Sequence, residues 1–337
     1  MPPRVLRIKK GHPQVEKVGL GFFIYMVLKK MRFRFFITIV IGLIVLCWIS
    51  VSLAATFKDA LGRVVTLKTP PKRIVSMAPN LTEILYYLGL GDRVVGVTQF
   101  SYYPPEAARK PKIGSYINLN VERIIALNPD LAIGTADGNK ESVVKLLEQA
   151  GIPVYIVNPR KVRDVISTIA ALGELCGVGK KAKELASCLE KRVNYVSKRT
   201  IGLRRPLVFV QINMKPIMTV NRNTFHHDVI RLAGGGNMSQ DEPITYPRIS
   251  IEEVIKRNPE IIIISSMERG GRFEQARQEW FKWSVIQAVK ERRIHLVDSD
   301  LLDRPSPRII EGLEVMARLI HPEAEWDLRR SNDKPNH

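Results

Sequence analysis

Cysteine is scarce: three residues in 337, Cys47, Cys176 and Cys188. Neither spacing between them resembles a zinc site. An oxidising compartment would permit a Cys176–Cys188 disulfide, but Cys188 falls on the buried stripe of a predicted helix, and two buried thiols are expected. There is no Walker A loop, because Gly173 and Gly179-Lys180 are separated by five residues and Lys181 stands where Ser or Thr is needed. There is no Gly-x-Ser-x-Gly elbow or other nucleophile motif. His226-His227-Asp228 with His295 is the only tempting metal cluster, yet adjacent helical side chains point about 100° apart and serve one ion poorly. They read as polar residues at a helix start. Catalytic residues, a resident metal and a catalytic cofactor are therefore not expected.

Charge is lopsided, with 52 Lys and Arg against 33 Asp and Glu, a net +19. Residues 1–54 hold nine of those cations and one acid, so +11 remains for the other 283 residues. That remainder is spread along the chain with no basic block carrying interleaved aromatics, which argues against nucleic acid as a partner. An acidic ligand or an anionic membrane surface accounts for it equally well.

What is present is a repeat. Asn120–Ile133 returns 130 residues later as Ser250–Ile263, with Glu122 matching Glu252, Asn128-Pro129 matching Asn258-Pro259 and Asp130 matching Glu260. Each copy reads as an Asn or Ser N-cap, an acid in the first helical turn where the dipole favours it, an Asn-Pro stop and a short apolar strand. The same helix, stop and strand in the same order suggests a duplicated lobe.

The N-terminus has the layout of a secretory signal peptide. Lys29, Lys30, Arg32 and Arg34 precede an apolar run, Phe35–Val51, that ends in Ser52-Leu53-Ala54-Ala55, and cleavage is expected after Ala54. Met31 offers a second start, which would make residues 1–30 an upstream extension. An uncleaved membrane anchor is the competing reading. Cys47 follows the bulky Leu46, which argues against lipid attachment.

Beyond it, strands alternate with helices on short loops, the pattern of parallel, doubly wound sheets. Asn80 with Glu83 three residues on reads as a capping box for a helix at Leu81–Leu88. Lys180–Lys198 reads as one long amphipathic helix, and Trp280–Val289 as another helix. The predicted organisation is a signal segment over 1–54, an N-terminal α/β lobe over 55–160 and connecting helices over 161–204. A C-terminal α/β lobe over 205–322 and a polar tail over 323–337 complete it. The fold class is α/β, two Rossmann-like lobes with parallel sheets joined by one long bridging helix.

With this organisation, the segments Val97–Pro105, Asn120–Ile124 with Asn128-Pro129-Asp130, and Ser299–Arg308 resemble the periplasmic substrate-binding proteins of ABC importers for cobalamin and iron-siderophore complexes. The likeness is strongest to the family's cobalamin-binding member and runs from about Arg73 to Leu319. It implies a ligand cleft between the lobes, lined by Phe100 and Tyr116 from the first lobe and Tyr246 from the second. It further implies that Asp300 and Arg304 hydrogen-bond the ligand's polar periphery. By themselves Asp300 and Arg304 read as an i,i+4 surface pair. Aromatic faces with a few orienting polar groups suit a flat, amide-fringed macrocycle.

The resemblance turns Glu122 and Glu252, otherwise acids at helix N-termini, into exposed docking points for the two halves of an ABC permease dimer in the inner membrane. The family's cobalamin binder tends to have an aromatic residue where this chain has Thr135, so the ligand implied is a corrinoid, a haem or a ferric siderophore. Location in the periplasm and a monomeric state are expected. The competing classes are an enzyme on the same scaffold, which the missing nucleophile, metal and nucleotide motifs argue against, and a membrane-anchored sensor.

Overall fold

The computed structural model describes residues 17–48, 54–265 and 272–326. The chain divides into two units, Met1–Leu53 and Ala54–His337. In the first, helix α1 (Lys17–Trp48) runs for 32 residues, beginning well before the apolar run and taking in its basic flank. Among the described residues, no helix is long and apolar enough to cross a membrane. Residues 1–16 of the proposed upstream extension, Ser52 and Leu53 of the expected cleavage site and residues 327–337 of the polar tail lie outside the described residues.

The second unit opens with an antiparallel hairpin of β1 (Ala55–Lys58) and β2 (Val64–Leu67). Its turn is held by the buried Asp59, whose Oδ1 accepts the N–H groups of Leu61 and Arg63, both at 2.9 Å. The first lobe then builds β3 (Ile74–Ser76), α2 (Pro79–Tyr87), β4 (Val94–Val97), α3 (Pro105–Ala108), α4 (Val121–Ala126), β5 (Leu131–Thr135), α5 (Glu141–Gln149) and β6 (Val154–Val157). Helices α6 (Val162–Leu175) and α7 (Gly179–Thr200) follow. The second lobe runs β7 (Leu207–Gln211), α8 (Phe225–Leu232), β8 (Gly236–Asn237), α9 (Ile251–Arg257), β9 (Ile261–Ile264) and α10 (Arg272–Phe281). It ends with α11 (Gln287–Lys290), β10 (Ile294–Leu296), α12 (Ser299–Leu302) and α13 (Ile309–Ile320).

Both sheets are parallel, in the orders β4-β3-β5-β6 and β10-β9-β7-β8. Numbered within each lobe, these are the same order, second-first-third-fourth. The duplication extends to single atoms. Asn120 and Ser250 cap their helices by accepting the N–H three residues on. Asn128 and Asn258 both take a left-handed backbone, φ 45° and 49°, a conformation that asparagine tolerates better than most residues. Asp130 accepts the N–H groups of Lys72 and Arg73 at the start of β3, and Glu260 accepts that of Leu207 at the start of β7. The acid after each Asn-Pro therefore pins the first strand of its own lobe.

Side chains alternate between two faces along each strand, and the cores follow that alternation. Val75, Ala132, Val154 and Ile156 pack into a core private to the first lobe. Phe209, Ile262, Ile264 and Trp280 do the same in the second. The opposite faces, among them Ile74, Ile133, Val208, Val210 and Ile263, join one continuous core with α6, α7, α8 and α13. Helix α7 has 22 residues, about 33 Å at 1.5 Å each, and buries Ala182, Leu185, Leu189, Val193 and Val196. A pair between Arg192 and Glu314, 2.8 and 2.9 Å, ties it to α13.

Three local expectations are corrected. Helix α2 begins at Pro79 with Ala78 as its N-cap and no side-chain cap, so Asn80 and Glu83 form no capping box. Proline suits the first helical position, where its missing N–H is not needed, and this moves the start forward. The helix expected over Trp280–Val289 is broken between α10 and α11. Trp280 and Ile286 both enter the same core, and six residues of continuous helix would place them on different faces. Cys188 is half-buried beside the α7 stripe, whereas Cys176 is buried, and the two form no disulfide with each other.

Candidate functional site

In open α/β sheets, ligands bind beyond the carboxyl ends of the strands, where the strand order reverses. Here that places the loops after β3, β4, β5 and β6 opposite those after β7, β8, β9 and β10. Phe100 follows β4 and Tyr246 follows β8, while Asp300 and Arg304 lie in and just after α12, which follows β10; Tyr116 lies further along the run after β4, beyond α3. Tyr116 joins them through Asn139, whose Nδ2 donates to the Tyr116 and Met77 carbonyls, 2.8 and 3.0 Å, while its Oδ1 accepts Thr135 N–H at 2.8 Å. One side chain thus knits three first-lobe loops, and nothing in the sequence flagged it. Gly138 is required by the same packing, since a Cβ there would stand 2.2 Å from the Tyr116 ring.

Phe100 projects into solvent, 45% exposed, while its carbonyl accepts Arg304 Nη2 at 3.3 Å. Ile117 and Ile244, beside Tyr116 and near Tyr246, are likewise 48% and 65% exposed. Tyr246 is half-buried, edge-on to the His226 ring at 6.4 Å. Burial, and then Asp137, push its hydroxyl up to about 12, with Arg160 opposing and Tyr116 adding to the shift. Burial, followed by Asp137, also raises Tyr116. Two tyrosines from opposite lobes therefore share one electrostatic environment, and both stay neutral phenols at ordinary pH. Thr135, the position lacking an aromatic, is buried at the end of β5.

Asp300 and Arg304 do meet, at 3.3 Å, but as members of a larger cluster. Its centre is Glu83, fully buried on α2. The Glu83 carboxylate accepts Arg304 Nη1 at 3.1 Å, Ser306 Oγ at 2.6 Å, and Arg308 Nε and Nη2 at 2.9 and 2.8 Å. Tyr102 Oη donates to Asp300 at 2.9 Å and also contacts Arg304. Arg304 stacks over the Tyr102 ring and Arg308 over Tyr103, at 4.5 and 4.0 Å. Burial lowers the Arg308 basicity, but the Glu83 bonds and the charges of Glu83 and Asp300 outweigh it and raise the guanidinium above its ordinary value. The reading of Asp300 and Arg304 as a surface pair is thus replaced by a buried cluster that joins the lobes.

Next to Arg304, Asp303 Oδ1 accepts Ser265 Oγ at 3.1 Å and lies 3.1 Å from His226 Nε2. His227 turns instead toward Asn237. Among the described residues no group of three or more His, Cys, Asp or Glu is placed to hold a metal ion.

Glu122 and Glu252 are both exposed, in the first turns of α4 and α9. Each helix feeds the amino end of a strand, so its own N-terminus lies at the carboxyl-end face of its sheet. Glu252 is held below the usual carboxylate range by its own backbone N–H and by Ser250.

Residues 74–301 match the sequence profile of a periplasmic binding protein family. A relative in Bacillus subtilis, described as an ABC transporter substrate-binding lipoprotein, is 34% identical over 80% of this chain and 86% of its own. The crystal structure of the periplasmic vitamin B12-binding protein of Vibrio cholerae superposes with a TM-score of 0.69 at 29% identity, covering 75% of this chain and 98% of that one. The periplasmic heme-binding protein of Roseiflexus sp. RS-1, solved in its apo form, gives 0.67 at 26% identity, covering 75% and 99%.

Proposed function

The chain belongs to the periplasmic binding protein family, and from that membership we propose that it is an exported carrier that captures a flat metal chelate between its lobes and delivers it to an ABC permease. The observation that carries this reading is the pair of tyrosines, Tyr116 and Tyr246, one from each lobe and both half-buried against the core that two equivalent sheets share. Aromatic walls bury large apolar area at low entropic cost, and Phe100, Ile117 and Ile244 offer further apolar surface at the rim. A corrinoid is favoured, because phenols that remain protonated act as walls and as donors to peripheral amides. A haem or ferric siderophore is the second reading, supported by the likeness to a heme-binding protein and by Thr135 in place of an aromatic.

Asp300 and Arg304 act in this proposal through the Glu83 cluster, which sets the floor of the cleft. Glu122 and Glu252 are proposed as the matched permease contacts, one per lobe; charged rim contacts set orientation and on-rate, as a transient delivery complex needs. Export with removal of the N-terminal segment fits a fold whose first strand starts at Ala55, so cleavage after Ala54 would leave every strand intact. Titration of the purified full chain with cobalamin, haem and a ferric siderophore, followed by absorbance and heat, tests the assignment. Saturable binding of one of them is expected, and failure of all three to bind would overturn it.

A further inference from the structure

A cavity of about 620 Å³ lies at the start of the connector, where α6 begins. Its wall carries four cationic side chains, Arg160, Lys161, Arg222 and Arg231, against one acid, Asp228. Two helices begin at it: α6 directly after Lys161, and α8 directly after Thr224, so both positive dipole ends face the same space.

The acids around this wall are already engaged. Asp228 Oδ2 accepts the Val162 N–H at 3.0 Å and its Oδ1 takes Arg231 at 2.7 Å. Asp137 holds Arg160 through two bonds, Asp241 pairs with Arg222, and Asp164 accepts the N–H groups of Arg160 and Lys161. The resting cavity is therefore close to charge balance. Two of those balancing pairs face solvent on both sides, Arg160–Asp137 and Arg222–Asp241, with the arginine side chains 37% and 57% exposed, whereas Arg231 holds the buried Asp228. Exposed pairs hold weakly, and a guanidinium can exchange one carboxylate for another anionic oxygen without stranding a buried charge. Lys161 is exposed and has no ion-pair partner among the described residues.

The cavity lies beside Tyr246. Thr245 lines it and Tyr246 follows in sequence, while Arg160 acts on the Tyr246 hydroxyl. The first turn of α8 sends His226 beneath Tyr246 and His227 to the cavity wall, as the 100° step between neighbours requires.

We propose that this cavity is the subsite for an anionic group of the ligand, a carboxylate or a phosphate, with the macrocycle lying against Tyr116 and Tyr246. The proposal rests on the chelate-carrier reading above and narrows it to chelates bearing a negatively charged arm. The full chain is titrated with haem and its dimethyl ester, which lacks free carboxylates, and with cobalamin and cobinamide, which lacks the phosphodiester. The anionic member of one pair is expected to bind about tenfold or more tightly than its counterpart, and which pair shows the preference identifies the source of the anion. Raising the salt should shrink the ratio. The exposed substitutions Lys161→Gln and Arg222→Gln together should bring it close to one with the melting temperature unchanged. Equal affinity within both pairs, or a ratio unaffected by the double substitution, overturns the subsite and leaves the carrier reading standing. Failure of all four compounds to bind overturns the subsite, and failure of a ferric siderophore as well overturns the carrier reading too.

Discussion

The Glu83 carboxylate, fully buried in the first lobe, accepts two hydrogen bonds from Arg308, which lies 225 residues further along the chain. With Arg304 and Ser306 it forms a polar joint between the lobes, in addition to the continuous core that both sheets share with α6 and α7. The lobes are therefore connected by packed side chains as well as by helix α7.

Removing one partner of a buried pair strands the other. Glu83→Gln is expected to cost about 3 kcal/mol of folding free energy, since two guanidinium groups lose their central counter-charge and keep only Asp300. Denaturant unfolding followed by far-ultraviolet circular dichroism measures this. A change within error of zero would show that the joint contributes no net stability.

The shared core also limits motion. Ligand binding is expected to leave the radius of gyration nearly unchanged, because interior packing is dense and resists sliding. Small-angle scattering with and without a bound chelate checks it, and a large closure would contradict the reading of α7 and the floor as a stiff bridge.

Phe100→Ala should weaken chelate binding by about 1–3 kcal/mol while leaving stability intact, because the ring is exposed in the free protein. Gly138→Ala should weaken binding by a different route, pushing the Tyr116 ring from its seat. Affinity measured by calorimetry alongside a melting curve separates the two effects. Full affinity in both variants would remove Phe100 and Tyr116 from the proposed ligand wall.

The Tyr246 phenol should ionise near pH 12, against about 10 for an ordinary tyrosine. Between those two values the unfolded chain has lost this proton and the folded chain has kept it. Its contribution to stability is thus complete below pH 10 and declines as pH rises toward 12. The difference in phenolate absorbance between the native protein and Tyr246→Phe follows the titration directly, and a transition near 10 would show that the ring is solvated.

Glu122→Ala with Glu252→Ala should leave chelate affinity unchanged and abolish uptake by cells that carry the partner permease. Both residues are exposed, so folding should not suffer. Undiminished uptake would reduce the pair to helix-terminal acids.

Read alone, the sequence determined most patterns that are local. The period of apolar residues marked the strands and the long α7. The Asn-Pro stops located the ends of α4 and α9, and the repeat exposed the duplication that the two sheets share strand for strand. Such signals are legible because capping, backbone preference and amphipathic spacing act over a few residues. Tertiary structure decided the rest. Glu83 has the spacing of a capping-box acid, yet its partners lie more than two hundred residues away. Trp280 and Ile286 sit in what looks like one helix, yet their common core breaks it in two. Asn139 has no local signature and still knits three loops. A buried charge is stabilised by whichever group the fold brings to it, and only the packed chain determines which group that is.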